Sequence, residues 1–143
     1  MIVDKDLEMS LEQAAFDTND TVKSTYSIDL GATSTLHEEP LAIRAIVSTA
    51  FASGTSIQLV LKTDGALTGD NLASGNTVWS GPAIAVATAV KGYQFVTPNL
   101  KGLPLERYIQ LEYLNAGNND AGAITAGLVK DLQTAGPNPS LTV

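Results

Sequence analysis

Ser56-Ile57-Gln58-Leu59-Val60-Leu61-Lys62-Thr63-Asp64-Gly65 is the stretch that decides the fold class. Ile57, Leu59 and Leu61 recur at every second residue, with Gln58 and Lys62 between them. Successive side chains of a strand project to opposite faces, so this alternation predicts a half-buried strand. Asp64-Gly65 then supplies a turn, because glycine accepts the positive φ that tight reversals require. The same pattern recurs in both directions. Tyr26, Ile28 and Leu30 share a face opposite Ser27 and Asp29, and Gly31 ends that run. Leu41 to Ala50 reads as a longer apolar strand, with a turn at Ala52-Ser53-Gly54-Thr55. Asn76 to Ser80 is a short strand carrying Trp79, stopped by Gly81-Pro82. Gly92 to Thr97 reads as a strand with Tyr93 and Phe95 on one face. Arg107 to Leu114 alternates Ile109, Leu111 and Tyr113 against Tyr108, Gln110 and Glu112. A Gly/Asn-rich turn over Asn115 to Gly122 precedes a last strand from about Ala123 to Asp131.

Short strands separated by turn signals, with almost no helical periodicity, predict an all-β antiparallel sandwich or barrel. The polar run to Gly75 reads as a loop, and Ala83 to Val90 as a helical turn or an irregular connection. Ser10 and Gln13 have capping-box spacing before Ala14-Ala15-Phe16, so a short helix or an extended arm with a single turn is expected there. The division is an N-terminal arm over 1–25, one β domain over 26–132 and a C-terminal tail over 133–143 marked by Pro137 and Pro139. The arm is weakly patterned as core. Removing residues 2–20 is therefore expected to leave the domain folded while abolishing attachment to a partner.

Length and composition narrow the function classes. The 143 residues are enough for one domain with a real core, and 44% are hydrophobic. Only 16% are charged, with Thr, Ser, Ala, Asn and Gly filling the difference. A polar but weakly charged surface suits contact with neighbours, since few charges must be desolvated. The net charge is −7 and the eight Lys and Arg are scattered, whereas nucleic-acid binding requires a dense cationic face. The sequence contains no cysteine, which removes disulfide, thiolate-metal and thiol-redox chemistry. The first residues lack the pattern of a secretory signal, and the apolar stretch Pro82 to Val90 is too short to span a bilayer. These features fit assembly inside a cell, with no membrane partner.

Reactive constellations are sparse. His37 is the sole histidine and lies in a polar stretch, so an exposed loop residue is expected rather than a ligand or a base. Glu38 and Glu39 are adjacent and point apart on an extended chain. Asp64, Asp70 and Asn71 lie among Gly65 and Gly69 in a way that superficially suggests calcium. The EF-hand ligand pattern is missing, and turn chemistry accounts for these residue types. No glycine pattern marks a nucleotide site. Trp79, Tyr93, Tyr108 and Tyr113 are either a sugar-stacking platform or core and interface anchors, the latter being commoner for large aromatics. Arg107, between Glu106 and Tyr108, reads as a surface ion pair or a contact to a neighbouring subunit.

The opening Met1-Ile2-Val3-Asp4-Lys5-Asp6-Leu7, then Ser10, Gln13-Ala14 and Ser27-Ile28-Asp29-Leu30-Gly31-Ala32, resembles the tailed-phage capsid cement family named for the Bordetella phage cement protein. Glu39-Pro40-Leu41, Ser56 to Asp64, Gly92-Tyr93-Gln94-Phe95-Val96, Glu106 to Tyr113 and Gly122 to Asp131 follow in the family's order. Each stretch is an ordinary strand; the succession along nearly the whole chain carries the likeness. The resemblance implies a jelly-roll β-sandwich on the outside of an icosahedral capsid, made in the host cytoplasm. Its partners would be the major capsid protein and further copies of itself, as a dimer or trimer. It implies no catalytic residue, cofactor or metal. Leu7, Met9, Phe16, Trp79, Tyr93, Arg107 and Tyr113 are the candidate contacts to capsid or sister subunits. The alternative is a carbohydrate- or receptor-binding sandwich of a phage particle. A hydrolase is disfavoured by the single histidine and the lack of cysteine.

Overall fold

The larger of two antiparallel sheets is built around the alternating stretch that opens the sequence reading. The structure, a computed structural model, describes residues 7–31, 42–100 and 102–129. The strands in chain order are β1 (Glu8–Ala14), β2 (Thr21–Lys23), β3 (Ile28–Asp29), β4 (Ala42–Ala52), β5 (Ser56–Asp64), β6 (Leu67–Thr68), β7 (Asn71–Leu72), β8 (Asn76–Ser80), β9 (Ile84–Ala85), β10 (Tyr108–Ala116) and β11 (Ala121–Val129). One sheet has the order β1-β11-β4 and the other β2-β10-β5-β8, with β3 also on β10 and β9 also on β5. A small β6–β7 hairpin stands apart. The described residues contain no α-helix.

β5 and β10 pair without interruption from Tyr108↔Asp64 to Ala116↔Ser56. Because the side-chain period is two, this register puts Leu111 beside Leu61 and Tyr113 beside Leu59 on one face. Ile57, Leu59, Leu61, Ile109, Leu111 and Tyr113 are all buried there. Ile43, Ala45 and Val47 of β4, with Ile124, Ala126 and Leu128 of β11, form the opposing wall of the same core. Each fully buried Ile or Leu contributes about 1.5–3 kcal/mol, so these two walls hold the sandwich together.

One end of the sandwich is tied by buried amides. Asn115 Nδ2 donates to the carbonyls of Ala15, Asp20 and Tyr113, and Asn119 Nδ2 donates to Asn115 Oδ1 and to the Ser56 carbonyl. Asn119 Oδ1 has no hydrogen-bond partner, but it occupies the space where a side chain on Gly54 would begin. Gly122 has φ +145°, and a Cβ there would lie 2.3 Å from the Phe51 ring. Glycine is needed at that point because the ring packs directly on its backbone.

The N-terminal expectation requires correction. Residues 8–14 are neither arm nor helix but the β1 edge strand, paired with β11. Two irregularities in that pairing, one around Met9 and one where Glu12 has φ +44°, break the alternation that would have marked the strand. Through the first, Met9 and Ser10 are both buried. Ser10 Oγ donates to Gln13 Oε1, so the pair that reads as a capping box instead spans the second. Ser10 has one proton and gives it to Gln13, so the Tyr113 hydroxyl donates to Ser10 Oγ at 2.7 Å, from one sheet to the other. Gln13 also donates to the Lys23 carbonyl and accepts from the Thr25 amide. Deleting 2–20 would thus strip a strand and part of the core.

Two further expectations change: the polar run to Gly75 holds the β6–β7 hairpin rather than a loop alone, and the Gly92 to Thr97 strand is not a regular one. Gly92 to Thr97 lies along β4, with Tyr93 O accepting from Val47 N and Phe95 N donating to Ala45 O, but it forms no continuous ladder. Thr97 Oγ1 donates to the Ile43 carbonyl where a strand would use an amide, and Pro98 has no amide to give. The run Ala83 to Val90 holds the short strand β9 and then the helical turn expected there, with Ala89 N donating to Ala85 O. The other predicted strands have their counterparts in β3, β4, β5, β8, β10 and β11. The tail over 133–143 lies outside the described residues.

Gly122→Ala is expected to destabilise the protein by at least about 2 kcal/mol in urea unfolding, since it adds a clash to an unfavourable φ. Gly69 also has positive φ but has nothing within 4 Å of its missing Cβ, so Gly69→Ala should cost only about 1 kcal/mol. Equal effects would contradict the proposed role of the Phe51 contact.

Candidate functional site

The seven candidate contact residues separate by burial, and no single patch gathers them. Met9 and Tyr113 are fully buried, so both leave the list of surface contacts. Their size and polarity serve the core: Met9 fills the bulged edge strand and Tyr113 spans the sheets through its hydroxyl. Burial pushes the Tyr113 phenol pKa upward, which keeps that donor protonated. Leu7 and Trp79 are partly buried against the core, with the Trp79 ring over Gly81. Tyr93 is partly buried too, and its ring meets that of Phe95 edge-on at 5.4 Å. Phe16 and Arg107 remain open to solvent.

Arg107 is an ion pair, as its sequence context predicts, but the partner is Asp29. The guanidinium grips that carboxylate through Nε and Nη2, each at 2.9 Å, and its carbon lies 5.1 Å from the Tyr108 ring centre. The pair joins the β3 end to the start of β10. Hydrogen bonding from Arg107, aided by the Gly31 amide, lowers the Asp29 pKa, and the same contact raises that of Arg107. The pair is well exposed, so its effect is mainly to fix geometry.

The outer face of the larger sheet is closed by the protein's own side chains. Gln110 points away from the core yet is buried: its amide donates to Ser24 O and Asn71 Oδ1 and accepts from Leu72 N. That anchors the β6–β7 hairpin over β10. Asp64 holds the base of the same hairpin by accepting from the amides of Ala66, Ser74 and Gly75. The hydrogen bonds from Gly75 and Ser74 are the main cause of its lowered pKa. Lys62 and Glu112 meet at 3.5 Å on the same face. Asp64 and Asn71 are therefore committed to turn and hairpin contacts. Among the described residues, no group of three or more His, Asp or Glu is placed to hold a metal ion, and no helix is long and apolar enough to cross a membrane. His37, Glu38 and Glu39 lie outside the described residues.

The smaller sheet is different. Its outward side chains include Leu11 of β1, Arg44, Ile46 and Ser48 of β4, and Val129 of β11, with Val96 beside them. Leu11 and Val96 are 62% and 63% exposed. Sequence reading missed this face, because Leu11 follows an unseen bulge and Ile46 sits in a run too apolar to show which residues point outward. No protein-family model matches the chain, and no curated protein matches its sequence.

Asp64 is expected to make the hairpin acid-sensitive. Its folded pKa is lowered, so ionisation supports the fold above the unfolded value near 4, and that support is lost as pH falls through the folded value. Hydrogen exchange of the Ser74 and Gly75 amides, corrected for intrinsic rates, should stay slow at neutral pH and quicken only below about pH 4. Asp64→Asn should quicken it already at neutral pH; an unchanged rate would contradict the pinning role.

Proposed function

We propose that this chain is a structural virion protein with a jelly-roll fold, which binds the outside of a tailed-phage capsid and reinforces contacts between major capsid subunits. The observation that carries the reading is strand order. Leaving aside the separate β6–β7 hairpin, and counting β2 with β3, β8 with β9, and the 92–99 segment as single strands, there are eight, ordered 1-8-3-6 in one sheet and 2-7-4-5 in the other. Two nested Greek keys produce that interleaving. The succession of strand sequences that resembles the capsid cement family adds independent support.

The physical logic is multivalency. A shell under internal pressure fails where capsomers meet, and a protein bridging those seams adds contact area at each. Individual contacts of modest strength sum over many copies, so a weakly charged, rigid sandwich suffices. The described chemistry is directed to rigidity: buried Ser10, Gln110, Asn115 and Asn119 all join separate strands or loops. Of the four aromatics that could form a sugar-stacking platform, Tyr113 is buried and Trp79 and Tyr93 are partly buried against the core.

Shells of the encoding phage assembled without this protein provide the test. Purified full-length protein should pellet with them to a saturating, fixed ratio and raise the temperature at which they release DNA. A protein that stays in the supernatant at every ratio would contradict the reading, and sugar-dependent quenching of Trp79 fluorescence would favour the receptor-binding alternative.

A further inference from the structure

We propose that the outward face of the three-stranded sheet is the docking surface, and that Arg44 on it receives a carboxylate from the partner protein. The inference rests on the capsid reading only for the partner's identity. Four features of the face support it.

First, β4 alternates so that Ile43, Ala45 and Val47 enter the core, which sends Arg44, Ile46 and Ser48 outward. Gly127 lies opposite Arg44 in the register and offers no side chain of its own. Second, Arg44 Nε and Ser48 Oγ are both buried atoms with no hydrogen-bond partner. Buried polar groups are normally paired, and an unpaired one marks a missing partner. Of the other such atoms, Asn119 Oδ1 is accounted for by its seat against Gly54, and Gln94 is engaged in a further contact of its own; Arg44 and Ser48 have neither. Third, apolar Val96, on the segment beside β4, and Leu11, on β1 beyond β11, belong to this side of the molecule and are among the most exposed large hydrophobic side chains described. A cation on a face that also exposes apolar side chains is the composition of an interface anchor, where a guanidinium pairs with a carboxylate as water leaves. Fourth, the other sheet offers nothing comparable, since its hairpin, the Gln110 hydrogen bonds and the Lys62–Glu112 pair occupy its outer face.

The occupant follows from charge. One cation on this face among the described residues, in a chain of net charge −7, is no site for nucleic acid, which needs many. A second copy docked by a two-fold axis near Arg44 would set two guanidiniums against each other. A protein surface presenting a carboxylate between apolar side chains satisfies both the charge and the exposed hydrophobic groups.

The experiment uses full-length protein and the same shells, with Arg44→Glu, Val96→Asp and a control at exposed Thr77 on the other sheet, Thr77→Glu. Arg44→Glu and Val96→Asp should each weaken pelleting by at least about tenfold, while Thr77→Glu pellets like the unaltered protein. The melting temperature of Arg44→Glu should stay within about 2 °C of the unaltered protein. Equal pelleting by all variants would overturn the inference and leave the capsid reading standing, whereas failure of the unaltered protein to pellet would overturn both. Two other results would overturn the inference alone: a fall in self-association by Arg44→Glu with pelleting intact, which would assign the face to a second copy, or a melting temperature lowered by about 5 °C or more, which would assign Arg44 to the chain's own fold.

Discussion

The hydrogen bond from the buried Tyr113 hydroxyl to Ser10 is the contact on which the arrangement of the sandwich turns. A phenol inside an apolar core must find an acceptor, because leaving a buried polar group unpaired costs about 1–3 kcal/mol. The acceptor lies on the edge strand of the opposite sheet, within a bulge that turns both Met9 and Ser10 inward. Ser10 passes its own proton to Gln13, and Gln13 reaches the Lys23 carbonyl and the Thr25 amide. One relay of side chains thus couples β1, β10 and the link between β2 and β3. Non-directional apolar contacts bring the two walls together; this polar relay specifies which residues of β1 face inward.

The two outer faces then diverge in character. The larger sheet spends a whole hairpin on covering itself, with Gln110 and Asp64 as its two anchors. The smaller sheet has no equivalent cover among the described residues and leaves Arg44 Nε and Ser48 Oγ without partners. Its β1 edge is irregular, and such bulges discourage open-ended strand addition. A molecule built this way favours attachment through a face over growth along an edge.

Much of the sheet structure was legible in the sequence, and the reasons for the failures are specific. β5 and β10 were readable because their alternation is unbroken and their register is continuous. β1 was not, since two bulges destroy the period of two, and its Ser10–Gln13 spacing imitates a helix cap. The Gly92–Thr97 stretch has strand composition, but Thr97 and Pro98 withdraw it from the ladder. Asn115 and Asn119 read as turn residues by type, yet both are buried, because they complete the hydrogen bonding of a loop end whose partners lie far off in sequence. Arg107 was recognisable as an ion-pair residue, but Asp29 as its partner was not, because the pairing depends on β3 lying beside β10. Burial removed Met9 and Tyr113 from the surface, and no sequence signal singled out Arg44, whose isolation is a property of the folded face.

Native-state hydrogen exchange of the Ala15 amide, which donates to the Gly122 carbonyl at the end of β1, tests the central claim most directly. If the edge strand belongs to the cooperative core, this amide exchanges with the same opening free energy as the amides shared by β5 and β10, and Tyr113→Phe lowers both together. An Ala15 amide that exchanges orders of magnitude faster than those of β5 and β10 would instead mark residues 8–15 as a detachable arm, and would contradict the account.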